Sequence, residues 1–306
     1  MFKMAAGDAG ILAPPNDLHV NHTAGWIVLG LVVVSLAATL TSAVIITRRD
    51  KNPLFLLLLV SGAVLFPFFV EPAGDIILAT WYPADTPAIA ATILGRHIPW
   101  FVVIGYAAGI PVACYMGYRM IVSGLSVKRI LLTLMAISLS EGAIEMTAVH
   151  FGFMSYYGNR ALVFGVPLSS LVQNAGMFVV IGVVLAWLVP RLRGWTWAVI
   201  PFVPPMVFMA YVVACTMPSF YAIHGQFGPA PFWLAAAIST FLNGGVAVAA
   251  LYTGIAKDHR TGVEESDIRR HDPPSTKPID IQHFSATPNQ VGDSRVPTAR
   301  SHRWTD

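Results

Sequence analysis

The chain has 306 residues, of which 55% are hydrophobic and 11% charged, and its formal net charge is +3. A globular soluble domain carries about 25% charged residues, so this composition describes a polytopic membrane protein. The small net charge, with no basic stripe interleaved with aromatics, excludes a nucleic-acid binder.

Charge is unevenly spread: 16 of the 35 charged residues lie in 257–306. In chain order, residues 1–23 lack a basic stretch followed by an apolar core, so they read as an extracytoplasmic segment without a cleaved signal peptide. Seven apolar runs long enough to cross about 30 Å of hydrocarbon follow within 24–255, at roughly 24–47, 53–80, 98–120, 130–151, 167–190, 195–217 and 229–255. Pro99, Pro167 and Pro229 stand near helix starts, where proline is tolerated. Pro111 and the cluster Pro201, Pro204 and Pro205 fall inside spans and predict kinks. Residues 256–306 are rich in Pro, Ser, Asp, Arg and Thr and read as a disordered cytoplasmic tail.

Orientation follows from the basic residues. Arg48, Arg49, Lys51, Arg119, Lys128, Arg129, Arg191, Arg193, Lys257 and Arg260 would share one side of the membrane, and Lys3, Arg96 and Arg160 the other. That asymmetry predicts an all-α bundle of seven transmembrane helices with its N-terminus outside and its C-terminus in the cytoplasm. Localisation in the cell membrane follows, with the lipid bilayer as the surrounding partner. No residue pattern points to a protein partner or a cofactor. Cys114 and Cys215 sit in apolar runs as small hydrophobes, and no Cys/His cluster suggests a metal.

Five acids occur between residues 52 and 190: Glu71, Asp75, Asp85, Glu141 and Glu145. Glu71 lies roughly 27 Å along the second span, at ~1.5 Å per residue, near the outer boundary. Glu141 falls near mid-depth of the fourth span, with Glu145 one turn further out. The i, i+4 spacing of Glu71 with Asp75 and of Glu141 with Glu145 puts both members of each pair on one helix face. Charges within a span cost at least ~2.5–3.5 kcal/mol each and mark function. Two acids ~6 Å apart in low dielectric do not both ionise, which leaves a neutral carboxylic acid able to act as a general acid or a relay. Asp85 reads as a solvated loop acid.

Other polar groups gather at the same level. Arg96 and His97 precede the third span; His150, Tyr156, Tyr157 and Arg160 follow the fourth; Asn174 lies about two turns into the fifth. Asn243 is near the middle of the seventh span and His224 in the last outer loop. Trp81, Tyr82, Trp100 and Tyr106 supply ring faces that stabilise cations without attacking them. A pocket between the second to fifth spans, in the outer half, accounts for this convergence. The segments "EPAGD…GRHIP" and "EGAIE…GNRALVFGVP" share an order of acidic helix end, Arg-bearing loop and Pro-opened helix, the pattern of a degenerate parallel repeat.

A proton donor in an aromatic-lined chamber suits protonation of an alkene or epoxide and cyclisation of the resulting cation. The substrate would be a hydrophobic isoprenoid lipid entering sideways from the bilayer. The size, the seven spans and the acids in "EPAGD" and "SEGAIE" resemble the small integral-membrane terpene cyclases of actinobacterial meroterpenoid pathways, of the drimentine type. The resemblance is architectural and covers roughly residues 24–255. It implies proton-initiated, metal-independent cyclisation of a prenylated acceptor without diphosphate loss, in keeping with the absence of a DDxxD motif. On this reading Glu141 or Glu145 is the acid, and Glu71 and Asp75 are an alternate acid pair or the final base. Arg96, Arg160 and Asn174 orient them; Trp81, Trp100, Tyr106, His97, His150, Tyr156 and Tyr157 contact substrate. Two other classes fit the same letters: a proton-coupled small-molecule transporter, and a seven-span sensor or scaffold with the tail as output. A retinal protein is excluded by the lack of any lysine between Lys128 and Lys257.

Overall fold

A computed structural model describes residues 11–15 and 18–271. The chain is a seven-span helical membrane bundle. Span 1 is His22–Asp50, span 2 Leu54–Leu78, span 3 Trp100–Val122, span 4 Val127–His150, span 5 Ser170–Arg191, span 6 Gly194–His224 and span 7 Pro229–Leu251. A last helix, Gly254–His271, continues the chain where the composition predicts a disordered tail from residue 256. Its buried Ala256 packs with Met120, Ile121 and Leu251, which is enough apolar contact to extend helix past the span. The rest of the expected tail, 272–306, lies outside the described residues.

The prolines shape their spans unequally. Span 2 widens to a π-helix over Ser61–Val70 around Pro67, and the Glu71 N–H donates to the Phe66 carbonyl five residues back. The absent proline N–H accounts for part of this change, because an α-helical bond cannot form there. Span 6 opens as a 3₁₀ segment, Gly194–Phe202, passes through Val203–Val207 and becomes π-helical over Phe208–Val213. Span 3, by contrast, stays one α-helix through Pro111. Thr39 of span 1 donates to the Ala108 carbonyl at 3.0 Å, a bond that ties span 1 to span 3 near this proline.

Spans 3 and 5 form the axis of the bundle. A Cβ at Gly117 would lie 2.1 Å from the Phe178 carbonyl oxygen, and one at Gly182 would lie 2.5 Å from the Gly117 carbonyl. The two backbones touch there, as small residues permit between membrane helices. Span 1 packs on span 3, span 4 mainly on span 5, and span 7 on spans 5 and 6. Spans 1 and 4 are the least buried and make no extended contact with each other.

Among the described residues, one face of the bundle carries six short strands, an addition to the purely helical expectation. β1 (Thr80–Trp81) pairs antiparallel with β4 (Ser155–Tyr156). β2 (Ile89–Ile93) and β3 (Arg96–Pro99) form a hairpin, as do β5 (Leu162–Val163) and β6 (Val166–Pro167). Both hairpins turn on an apolar–glycine pair with positive φ at each position: Leu94 (51°) and Gly95 (72°), Phe164 (50°) and Gly165 (84°). That is the left-handed turn that matches strand twist. The order span 2, β1, hairpin, span 3 is therefore repeated as span 4, β4, hairpin, span 5, and the equivalent strands β1 and β4 meet antiparallel, as a two-fold relation requires.

The N-terminal residues cross this face. The Leu12 N–H donates to His224 Nδ1 at 3.0 Å, so Nε2 carries the ring proton and donates to the Ile76 carbonyl at 3.0 Å. His224 thus ends span 6 rather than sitting in a loop. Asp85 holds the same strap, accepting from the Val20 N–H at 3.3 Å and meeting His19 Nδ1 at 3.1 Å. Asn21 caps span 1 by accepting from the Ala24 N–H at 3.1 Å.

Candidate functional site

A cavity of about 630 Å³ opens beneath the stranded face. All four span-embedded carboxyls line it: Glu71 and Asp75 from span 2, Glu141 and Glu145 from span 4. The i, i+4 spacing within each helix aims both members inward, and the two pairs face a common space. The volume lies within the roughly 300–1,000 Å³ typical of small-molecule sites.

Each pair contains one well-held carboxyl and one with an unmet oxygen. Glu71 accepts from the Tyr82 hydroxyl at 2.6 Å through Oε1 and from the Tyr106 hydroxyl through Oε2. Glu145 accepts from the Tyr156 hydroxyl at 2.9 Å, from the Ser170 hydroxyl at 2.9 Å and from the Asn174 amide at 3.1 Å. By contrast, Asp75 Oδ2 and Glu141 Oε2 are buried without any hydrogen-bond partner. An ionised carboxylate only accepts hydrogen bonds, so Glu71 and Glu145 have the surroundings of anions. The unmet oxygens of Asp75 and Glu141 suit a neutral acid whose O–H points into the chamber, because an unpaired buried charge is far costlier.

The two half-sites repeat at the level of residues. Tyr82 follows Glu71 by eleven positions and donates to it; Tyr156 follows Glu145 by eleven and donates to it. Thr80 and Tyr156 are register partners in the β1–β4 ribbon, which brings the two tyrosine-bearing turns together above the cavity. Burial and the nearby Glu71 carboxyl push the Tyr82 hydroxyl well above its ordinary ionisation range. Burial and Glu145 do the same for Tyr156. Both phenols therefore stay protonated and remain donors.

Arg96 is 4% exposed at the end of the chamber nearest the strands. Its guanidinium donates to the Tyr157 hydroxyl at 2.5 Å and the Thr80 carbonyl at 3.5 Å, and lies over the Trp81 and Tyr157 rings at 5.8 and 5.4 Å. Among the described residues no carboxylate comes within 4.0 Å of it, so it acts on Asp75 through space.

The structure separates the expected contact residues into two groups. Tyr106, Tyr156 and Asn174 line the cavity, and Trp81, Arg96 and Tyr157 form a layer behind it. Four others stand away. Trp100 is 45% exposed on the outside of span 3, because the helix begins there with that side turned outward. His97 bonds Thr92 Oγ1 at 3.0 Å across its hairpin. His150 meets Phe151 edge-on at the exposed end of span 4, and Arg160 is exposed in the following loop. In their place Phe101, Phe153, Phe208 and Tyr82 supply the ring faces of the cavity wall. Ser170 and Gln173 also belong to the lining and carried no signal in the sequence. Gln173 continues away from the cavity, accepting from the Thr216 hydroxyl at 3.3 Å, to which the Asn243 amide donates at 3.4 Å. Asn243 therefore ties spans 5, 6 and 7 together. Among the described residues no group of three or more His, Cys, Asp or Glu side chains is arranged to hold a metal ion.

Compared with protein-family models, curated proteins and solved structures, the chain gives no match in any of the three.

Proposed function

We propose that this membrane protein is an acid–base enzyme that protonates an alkene or epoxide of a prenylated lipid and guides cyclisation of the cation, in the manner of a terpene cyclase. One observation carries the reading: two carboxyl pairs face one cavity, each with a hydrogen-bonded member and a member whose buried oxygen has no partner. The O–H of Asp75 or Glu141 adds its proton to an alkene carbon, or to the epoxide oxygen as the C–O bond breaks. The ring faces of Tyr82, Phe101, Tyr106, Phe153 and Phe208 stabilise the positive charge while rings close. Loss of a proton to the carboxylate so formed closes the cycle; where Glu71 or Glu145 takes it, the proton passes back to the donor carboxylate before the next turnover. The sum is an isomerisation and needs no oxidant, reductant or diphosphate leaving group. Tyr82 and Tyr106 on one side, and Tyr156, Ser170 and Asn174 on the other, position the anionic carboxyls.

Membranes containing wild-type protein, Asp75→Asn, Glu141→Gln, Glu71→Gln or Glu145→Gln are incubated with a farnesylated aromatic acceptor, and cyclised product is measured by mass spectrometry. Loss of the proton donor lowers turnover by about 10²–10⁴-fold. Equal product from Asp75→Asn, Glu141→Gln and wild type removes these acids from the chemistry.

The duplicated halves also favour a second reading. Parallel repeats related by an axis along the membrane normal occur in transporters, where relayed protons drive substrate movement. Proton-gradient-dependent uptake into vesicles, with no product formed, selects that reading.

A further inference from the structure

The cavity has an uneven wall. On the side of spans 2, 3 and 5 it is closed by packed helices and carries most of the polar groups. On the opposite side it is bounded by Val28 and Val32 of span 1 and by Ala143, Ile144 and Thr147 of span 4. These two spans make no extended contact with each other and are the least buried of the seven. Ile144 lines the cavity and yet is 68% exposed on the outside of the bundle; Ala143 and Thr147 are exposed as well. A side chain can satisfy both conditions only at a mouth. The surrounding surface is apolar, with Trp26, Leu31, Val34 and Leu139 all exposed. Water is absent at such a surface in a bilayer, and hydrocarbon takes its place.

We propose that the gap between spans 1 and 4 is a lateral portal through which the hydrocarbon tail of a bilayer-dissolved lipid passes into the cavity, with Ile144 and Val28 as its two jambs. The stranded face does not compete as a route. There β1 and β4 pair across the top of the cavity, and the strap through Leu12, Val20 and Asn21 is tied to His224, Asp85 and the Phe151 carbonyl. At the other end the cavity is closed by the core around Leu54, Phe55, Leu58 and Cys114. The portal deepens the reading above by naming how its substrate class arrives, but the route itself is independent of the reaction.

The test measures access rather than turnover. Val102 is buried in the cavity wall, so Val102→Cys places a thiol inside. The full-length protein in lipid vesicles is treated either with a long-chain alkyl maleimide dissolved in the bilayer or with a charged, water-soluble methanethiosulfonate applied from both sides. Modification at residue 102 is followed by peptide mass spectrometry, which separates it from the buried Cys114 and Cys215. Leu139→Cys, on the lipid-facing side of span 4 and outside the cavity, reports reagent supply and intact insertion. The expected result is reaction of Val102→Cys with the lipid-dissolved reagent and not with the charged one. Adding Ile144→Trp slows that reaction by about tenfold, while Leu139→Cys reacts as before. Val28→Trp narrows the mouth from the other jamb and serves where Ile144→Trp fails to insert. Faster reaction with the charged reagent, or an unchanged rate with both tryptophans, overturns the portal. Blocked labelling together with no conversion of any prenylated lipid keeps the portal and removes the cyclase.

Discussion

Tyr82 and Tyr156 occupy equivalent places in the two halves, and their removal should cost different amounts. Phenylalanine at either position deletes one hydroxyl and keeps the ring. In Tyr82→Phe, Glu71 Oε1 loses the donor that meets it at 2.6 Å and retains no other. A hydrogen bond to a charged group contributes about 1.5–3 kcal/mol, and the stranded acceptor is buried, so that range applies in full. In Tyr156→Phe, the Ser170 hydroxyl, 2.9 Å from both oxygens of Glu145, can turn its one proton to Oε2 while the Asn174 amide still donates to Oε1. The loss then falls to about 0.5–1.5 kcal/mol, the value of a hydrogen bond whose acceptor stays satisfied. Reversible unfolding of purified variants in bicelles, read by steric trapping, gives both numbers against wild type. A cost for Tyr156→Phe equal to or above that for Tyr82→Phe refutes the assignment of donors to the two carboxyls.

Three further outcomes follow from the packing. Gly117→Ala or Gly182→Ala forces the axis helices apart and destabilises the bundle by about 1–3 kcal/mol in the same unfolding assay. Gly95→Ala meets open space and costs only the left-handed backbone, about 1–2 kcal/mol, whereas Gly165→Ala also sets a Cβ 2.8 Å from Val149 Cγ1 and costs more. Asp85→Asn loosens the N-terminal strap, seen as faster amide exchange at residues 18–25 with exchange in spans 3 and 5 unchanged. Partial burial opposes ionisation of Asp85, but His19 and the Val20 N–H outweigh it and hold the carboxyl below its ordinary range. Its stabilisation of the strap is therefore present above the unfolded aspartate value, about 3.9, and is lost as pH falls through the lower folded value.

Span number and the inward pairing of acids were legible because both follow from local rules. Twenty apolar residues must cross as a helix, and carboxyls four apart must share a face. The common level of the two pairs along their spans points to one shared space, and Glu71, Asp75, Glu141 and Glu145 all line a single cavity. The hydrogen-bond partners were not legible. Tyr82 looked like one aromatic among many, yet its spacing of eleven from Glu71 repeats that of Tyr156 from Glu145, and this was the available signal. Ser170 and Gln173 had none, because a polar residue at a span end usually faces water or headgroups. Trp100, His97, His150 and Arg160 are close to the acids along the chain, but a helix start or hairpin turns alternate side chains away from the core. The helix running to His271 has the polar composition of a tail, and Ile255 and Ala256 at its start pack it against the bundle.

The widened stretch of span 2 sets the aim of its acids. Successive residues of an α-helix advance by about 100° around the axis, and Ser61–Val70 departs from that pitch immediately before Glu71. Tightening that stretch to α pitch without removing a residue would swing Glu71 and Asp75 by about a quarter-turn, away from Tyr82 and Tyr106, whereas deleting one residue as it tightens would keep their direction. The direction in which this helix points its carboxyls is thus fixed by backbone pitch one turn upstream, and residues such as Pro67, which lie outside the cavity lining, govern where the acids point.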